Sequence, residues 1–537
     1  MATSPEFEKL LESVSIGDVR LKNRIFMPPM GDRYSRDGFV TEQQKDYYAA
    51  RAKGGAGLII VAWGHVDAEL GRWGGGPQLA LDDDKFIPGL KELAWAIKRH
   101  GARAAIQIGH VGGRTQAHLQ PVGPSSVPHF NYKAPRALTV AEIKGIVRLF
   151  VRAAGRAKES GFDGVELHAA HGFLLSEFLS PVWNKREDEY GGSLKNRTRF
   201  LVELVRAIKM KLGQSYPIWC RLNCEEPGWV GGITPSEAQA IARILQDAGV
   251  DAIHISKDTQ VLTGMPAFHP SGFMLPMANA IKKAVSVPVL VAGWVSPQLG
   301  EKSLRERKAD LIGFGRALIA DPELPNKLQS GEVEDIVPCI RCYRCQGDRK
   351  TWDLVDSAGG IRCSVNAAVG RERECEITPA IKGQTVLVVG GGPAGMEAAR
   401  VAALRGHAVM LYDANARLGG QLLWASMPPL KETLHAFRDY LVTQLTKLGV
   451  RIQLGEEVTS ELVASMRPDV IILATGARPI VPEIPKGDGG TLAAAESALD
   501  GKINVGTKVV VLGGGMTGAE TAEWLADQGK HVTIVEV

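Results

Sequence analysis

Apolar positions in the first 330 residues follow two alternating rhythms. Short apolar runs predict strands: "NRIFMPPM", "GAGLIIVAW", "ARAAIQIGH", "FDGVELHAAH", "PIWCRLN", "VDAIHIS", "VPVLVAGW" and "ADLIGFGRA". Between them, segments such as "KFIPGLKELAWAIKRHG" and "TPSEAQAIARILQDAGV" are apolar at three- and four-residue spacing and close on glycine, which predicts helices. Eight strand–helix units in about 300 residues predict a (β/α)8 barrel; an open doubly wound sheet shares the alternation but seldom needs eight strands.

The pattern changes after residue 378. "TVLVVGGGPAGMEAARVAALRGHAVMLYDANARLGGQL" (385–422) predicts a βαβ unit, and "TKVVVLGGGMTGAETAEWLADQGKHVTIVEV" (507–537) starts another after a Pro/Gly-rich stretch. A nucleotide-binding fold needs at least one more strand and helix than this second unit contains, so we expect a further C-terminal portion. The fold class expected is therefore α/β. It comprises a barrel over 1–335, a cysteine segment over 336–380 and tandem Rossmann-like folds over 381–490 and 491–537, the last apparently truncated.

Bulk composition narrows the function classes. A net charge of +4 spread over 537 residues leaves no concentrated basic stripe for nucleic acid. The N-terminus is polar and no run of about 18 apolar residues occurs, so we expect no membrane partner and a cytoplasmic location. Seven cysteines are too few for a disulfide scaffold, and clustered cysteines in a reducing compartment favour metal or redox chemistry.

Both glycine turns carry their full context. Gly390, Gly392 and Gly395 follow a strand and open a helix, with Asp413 eighteen positions on; Gly513, Gly515 and Gly518 repeat the pattern with Glu536. Such glycines permit the tight turn, the approach of a pyrophosphate and close helix packing, while the acid accepts from a ribose hydroxyl. Glu536 would repel a 2′-phosphate, which favours NADH over NADPH. With "LGGQ" (Leu418–Gln421) and "ATG" (Ala474–Gly476), the tandem folds resemble pyridine-nucleotide flavin reductases, which implies FAD in the first, with Gln421 in its site, and NAD(P)H in the second.

Active sites of barrels lie at the C-terminal strand ends, here Met30, Trp63, Gln107 with His110, His168 with His171, Arg221, Lys257, Gly293 and Gly315 with Arg316. The glycines after the seventh and eighth strands sit where barrels bind phosphate on backbone N–H groups. Arg221 needs an anionic partner, either a ring or a neighbouring carboxylate. His168 and His171 can direct two N–H donors to one point; a mononuclear metal site and a purely structural pair are the alternatives.

Spacing of C-x2-C-x2-C-x17-C at Cys339, Cys342, Cys345 and Cys363 favours a [4Fe–4S] cluster over zinc, with Cys375 as a substitute for Cys363. Cys220 and Cys224 read as core residues.

"HAAHGFLLSEFLSPVWNKREDEYGGSLKNRTRF" (168–200), "NRIFMPPM", "DYYAARAKGGAGLIIV", "AIQIGHVGGR" and "GFGRALIADPELPNK" resemble the Old Yellow Enzyme family of FMN-containing barrels. The resemblance implies FMN at the mouth, with Pro29 and Met30 beside the ring, Gln107 on its pyrimidine edge and Arg221 at the N1/C2 carbonyl. Gly293, Gly315 and Arg316 would take the phosphate, and His168 with His171 the carbonyl of an activated alkene. Two departures stand out: Phe173 occupies the position of a proton-donating tyrosine, and Gly31 that of a flavin-tuning threonine or cysteine. His269 is the first substitute proton donor, Tyr34 the second.

The whole chain resembles the multidomain iron–sulfur subgroup that contains 2,4-dienoyl-CoA reductase, 2-enoate reductases and trimethylamine dehydrogenase. That implies electrons passing from NADH to FAD, to the cluster, to FMN and to a small-molecule substrate. The leading expectation is reduction of an enoate, enoyl-CoA or enone. The alternatives are oxidative N-demethylation of a methylamine, with Trp63, Trp73 and Phe173 lining a cation–π pocket, and electron transfer with a non-catalytic barrel. A homo-oligomer and an electron-transfer partner remain open.

Overall fold

A computed structural model describes residues 5–72, 77–115, 120–129, 132–257, 269–346, 360–481, 483 and 490–537. The chain divides into two units, Met1–Val333 with Cys342–Cys375, and Glu334–Arg341 with Glu376–Val537.

Eight strands organise the first unit: β1 (Ile25–Met27), β2 (Leu58–His65), β3 (Arg103–Gly109), β4 (Gly164–Ala169), β5 (Ile218–Asn223), β6 (Ala252–Ser256), β7 (Val289–Ala292) and β8 (Leu311–Gly313). Each pairs in parallel with the next, and β8 pairs with β1, closing the barrel that the alternation predicts. The strands are buried along almost their whole length, because inward side chains fill the barrel while outward ones meet helices.

The helices between them carry their own stop and start signals. Helix Val140–Glu159 begins with a reciprocal capping box between Thr139 and Glu142 and buries Ile143, Ile146, Phe150, Ala153, Ala154 and Ala157, one apolar stripe at helical spacing. A hairpin of Val14–Ile16 and Val19–Leu21 lies against the N-terminal strand ends, where Arg103 Nε donates to the Arg20 carbonyl.

The segment from 360 to 375 is fastened to the barrel. Ile361 N–H donates to Asp32 O (3.0 Å), the Tyr34 hydroxyl donates to Ile361 O (2.7 Å), Gln43 Nε2 donates to Gly370 O (2.6 Å), and Arg51 pairs with Glu372. A Cβ on Gly370 would meet the Tyr34 hydroxyl at 2.5 Å, so only glycine permits this approach.

In the second unit, β9 (Thr385–Val389), β10 (Ala408–Asp413), β11 (Arg451–Leu454) and β12 (Val470–Leu473) form a parallel sheet in the order β11-β10-β9-β12. A further parallel pair, β13 (Lys508–Leu512) and β14 (His531–Val535), flanks helix Met516–Asp527. Among the described residues no helix is long and apolar enough to cross a membrane.

Candidate active site

Strand register assembles the chemistry at the barrel mouth. Gln107, Glu166 and Trp219 are neighbours across β3, β4 and β5. Two residues further along, His168, Arg221 and His254 are neighbours across β4, β5 and β6. Side chains two apart on a strand share a face, so Glu166 and His168 point the same way.

Glu166, fully buried, is the hub that sequence reasoning missed. Its carboxylate accepts from Gln107 Nε2 (2.6 Å), Trp219 Nε1 (2.7 Å) and His254 Nδ1 (2.8 Å). Burial raises its pKa, but the hydrogen bond from His254, the charge of Arg221 and the Trp219 bond act against it, so the net shift is downward and the group stays ionised. Burial in turn lowers the pKa of His254 against the pull of Glu166, which leaves a neutral ring donating through Nδ1. The period-2 pattern of "VELHAAH" was the available signal: it sets Glu166 on the face of His168, as "AIHIS" sets His254 with Ser256.

His168 is buried and His171 half-buried, with ring centroids 5.0 Å apart and planes at 81°. Burial, reinforced by the Arg221 charge, holds both well below the ordinary imidazole value, so both are neutral donors. His168 Nδ1 accepts from Ala170 N–H (3.4 Å), which assigns its ring proton to Nε2. His171 Nε2 meets Ser256 Oγ at 2.6 Å, and Arg221 Nη2 reaches the same oxygen at 3.4 Å. The Ser256 hydroxyl thus joins the His171 ring to the Arg221 guanidinium and fixes the ring's orientation. The backbone at His171 is left-handed (φ 61°), a costly state for a non-glycine residue, held by its N–H to Asn223 Oδ1 (3.1 Å) and by Arg114 donating to its carbonyl.

Phe173 is packed into an aromatic wall. It stacks on Trp63 (5.1 Å, 24°), meets His168 edge-on (4.7 Å) and lies under the Arg114 guanidinium (5.3 Å). Tyr34 is committed elsewhere: its hydroxyl donates to the Ile361 carbonyl, and burial pushes its pKa up. His269 stacks on Phe273 (4.5 Å), while the preceding residues 258–268 and Trp73 lie outside the described residues. Lys257 is paired with Glu225 (2.5 Å). Cys220 and Cys224 are buried, as expected.

The remaining mouth residues suit FMN. Among the described residues, the buried Nε of Arg221 and the buried Nη1 of Arg316 have no hydrogen-bond partner, two unspent cationic donors. Arg221 has Glu166 as its nearby carboxylate influence. Gly293 sits at φ 139°, where a Cβ would meet Met274 Cγ at 2.7 Å; a Cβ on Gly315 would meet Met30 Sδ at 2.6 Å. Gly315 thus brings backbone close to the loop of Pro29 and Met30, Gly293 packs on Met274, and Gln107 has its amide fixed by Glu166. An anionic ring at Arg221 and a phosphate at Gly293, Gly315 and Arg316 would meet both unspent guanidinium groups.

Both dinucleotide turns are built alike. Helix Pro393–Leu404 starts at Gly392; Gly390 is at φ 109° with Ala474 O 2.2 Å from where a Cβ would lie, and a Cβ on Gly395 would meet Gly390 O at 1.8 Å. The Asp413 carboxylate accepts from Gly391 N–H (2.6 Å), and Gly419 N–H donates to Gly391 O (2.8 Å). Gln421 Nε2 donates to Ala477 O (3.2 Å). In the second turn Gly513 has φ 101°, a Cβ on Gly518 would meet Gly513 O at 1.9 Å, Gly515 caps helix Met516–Asp527, and Glu536 accepts from Gly514 N–H.

The cysteines are free of disulfides: Cys339, Cys345 and Cys363 are half-buried and Cys342 is exposed, its Sγ 3.3 Å from Ser364 Oγ. Among the described residues no group of three or more His, Cys, Asp and Glu side chains is arranged to hold a metal ion. This gives no support to a mononuclear metal at His168 and His171, and the cluster rests on the chemistry of four thiols at this spacing.

Comparison with known proteins follows the same division. Residues 9–335 match the model of the NADH:flavin oxidoreductase / NADH oxidase family. The chain belongs to that family. Residues 384–537 match the pyridine nucleotide-disulphide oxidoreductase model, which places the chain in the multidomain Old Yellow Enzyme-like flavoprotein group and makes it an enzyme. An NADH oxidase of Thermoanaerobacter brockii is 43% identical over 99% of this chain and 83% of its own length. A solved 2-naphthoyl-CoA reductase shares the fold at TM-score 0.93 with 34% identity, covering 98% of this chain and 83% of that one. Histamine dehydrogenase from Rhizobium sp. 4-9 follows at TM-score 0.89 and 30% identity, covering 99% and 80%. The two matched domains indicate binding of FMN and of FAD with NAD(P)H.

Proposed function

We propose that this NADH:flavin oxidoreductase reduces an activated C=C bond in an enoate, enoyl-CoA or enone. The observation that carries this reading is the pair of neutral imidazoles, His168 and His171, set beside Arg221 at the mouth. Bound FMN would supply hydride, with reducing equivalents from NADH arriving through FAD and an iron–sulfur cluster on Cys339, Cys342, Cys345 and Cys363. His168 and His171 would donate N–H bonds to the carbonyl oxygen, which leaves the β-carbon electron-poor for hydride and stabilises the negative charge that grows on the oxygen. Their neutrality matters, because each ring then presents a defined donor without burying another cation beside Arg221. Glu166 holds Gln107 and His254, Ser256 holds His171, and Phe173 excludes water on one side. Phe173 has no acidic proton, so the α-carbon proton would come from His269 or from solvent water entering the mouth. Relatives named as a naphthoyl-CoA reductase support the substrate class.

The aromatic wall of Trp63 and Phe173 favours a second reading, oxidation of a methylated amine, in line with the histamine dehydrogenase likeness. A substrate panel separates the two. Anaerobic NADH should bleach the flavins of the loaded enzyme, and enones or enoates should restore their colour; bleaching by methylated amines without NADH would contradict alkene reduction.

A further inference from the structure

At the barrel end opposite His168, an open cavity of about 540 Å³ is lined by Arg20, Lys22, Lys98 and Arg103, with Ser13 and Gly101. Three separate elements supply the cations: the N-terminal hairpin and its exit give Arg20 and Lys22, the end of helix Ile87–Lys98 gives Lys98, and the first residue of β3 gives Arg103. Gly109, at the other end of β3, marks the mouth.

We infer that this cavity binds a small molecule carrying two or more linked phosphate groups. The charge balance points there. Asp163 pairs with Lys98 (2.9 Å) and Arg103 (3.5 Å) and also accepts from Ala104 N–H, so one carboxylate is shared among three donors. Arg20 and Lys22 make no ion pair among the described residues: Arg20 Nη2 donates to Ser13 Oγ (3.1 Å), and Lys22 Nζ approaches the His100 carbonyl at 3.4 Å. Burial lowers the pKa of Lys22, with no carboxylate to restore it. The surroundings add like charge, since Arg99, Lys53 and Lys22 all bear on His100 and depress its pKa beyond the effect of burial. A chain whose whole surplus is +4 thus concentrates cations around one concavity.

Geometry favours phosphate over an isolated carboxylate. Lys98 and Arg103 are already fixed, by Gly161 O with Asp163 and by Arg20 O with Asp163, so little side-chain freedom would be lost on binding. Guanidinium forks match phosphate oxygens in pairs, and two ammonium groups supply point charge beside them. The volume suits a ligand of nucleotide size and lies within the usual range of small-molecule sites. The phosphates could belong to a nucleotide or to free polyphosphate, and the chemistry of recognition is shared.

Calorimetric titration of the full chain, loaded with its flavins, distinguishes these. Inorganic pyrophosphate at low ionic strength should show a saturable site that weakens at least about tenfold in Arg20→Ala/Lys22→Ala. It should be unchanged in Arg206→Ala/Lys211→Ala, a pair exposed elsewhere on the barrel. ADP binding more tightly than pyrophosphate, and losing that affinity in the same double variant, identifies a nucleotide; equal affinities identify the polyphosphate alone. Heats that Arg20→Ala/Lys22→Ala leaves unchanged, or no saturable binding, overturn the inference.

Discussion

The barrel mouth and the first dinucleotide turn both suit an anionic cofactor, yet they are built from opposite materials. The turn relies on backbone: Gly390, Gly392 and Gly395 remove side chains so that N–H groups and a helix start lie open, and Asp413 ties the loop through Gly391. The mouth relies on side chains from β3, β4, β5 and β6, held by one buried carboxylate. A turn of this kind is contiguous in sequence and fails when a single atom is added. The mouth is assembled by register, and each part can be weakened separately.

The largest difference should come from Gly395→Val. Its Cβ would lie 1.8 Å from Gly390 O, an overlap that backbone must relieve. We expect destabilisation of the second unit by more than about 3 kcal/mol and loss of FAD, with FMN retained. Chromatography of the released flavins checks this, and equal loss of both flavins would break the comparison.

At the mouth, His168→Ala should lower enone or enoate reduction by about 10²–10³-fold, the usual cost of removing an oxyanion donor, while anaerobic flavin reduction by NADH proceeds as before. Glu166→Gln should cost about 2–3 kcal/mol in denaturant unfolding, because an amide cannot accept from Gln107, Trp219 and His254 together.

Acid should act on the mouth more than on the turn. Burial holds the pKa values of His168, His171 and His254 below the ordinary imidazole value, so the unfolded chain takes up protons before the folded one does. The stability present above about pH 6.5 should therefore be lost on acidification below it, by at most about 1.4 kcal/mol per pH unit for each histidine. Melting temperatures across that window should fall less steeply for His168→Asn/His171→Asn. Ser256→Ala should have the smallest effect, about 1 kcal/mol, and a few-fold loss of rate through a less fixed His171.

The contrast explains what was legible in the sequence. Eight apolar runs gave eight barrel strands, and both glycine turns formed where their motifs fall, because strand burial and positive-φ turns are encoded locally. His168, His171 and Arg221 were recognisable at strand ends. Glu166, His254 and Ser256 were passed over although Glu166 shares a face with His168, since their partnership depends on which strands lie side by side. The anchoring role of Tyr34 was hidden for the same reason. Its partner, Ile361, is 327 residues away, and no local pattern announces a hydroxyl that anchors a returning segment.

Alkene reduction by the neutral histidine pair is tested most directly by rapid-mixing spectroscopy of the NADH-reduced, loaded enzyme against an enone or enoate. Wild-type flavin should reoxidise on mixing, and His168→Ala/His171→Ala should reoxidise at least about 10²-fold more slowly with an unchanged flavin spectrum. Equal reoxidation by the two proteins, or reduction of the oxidised enzyme by a methylated amine alone, would contradict it.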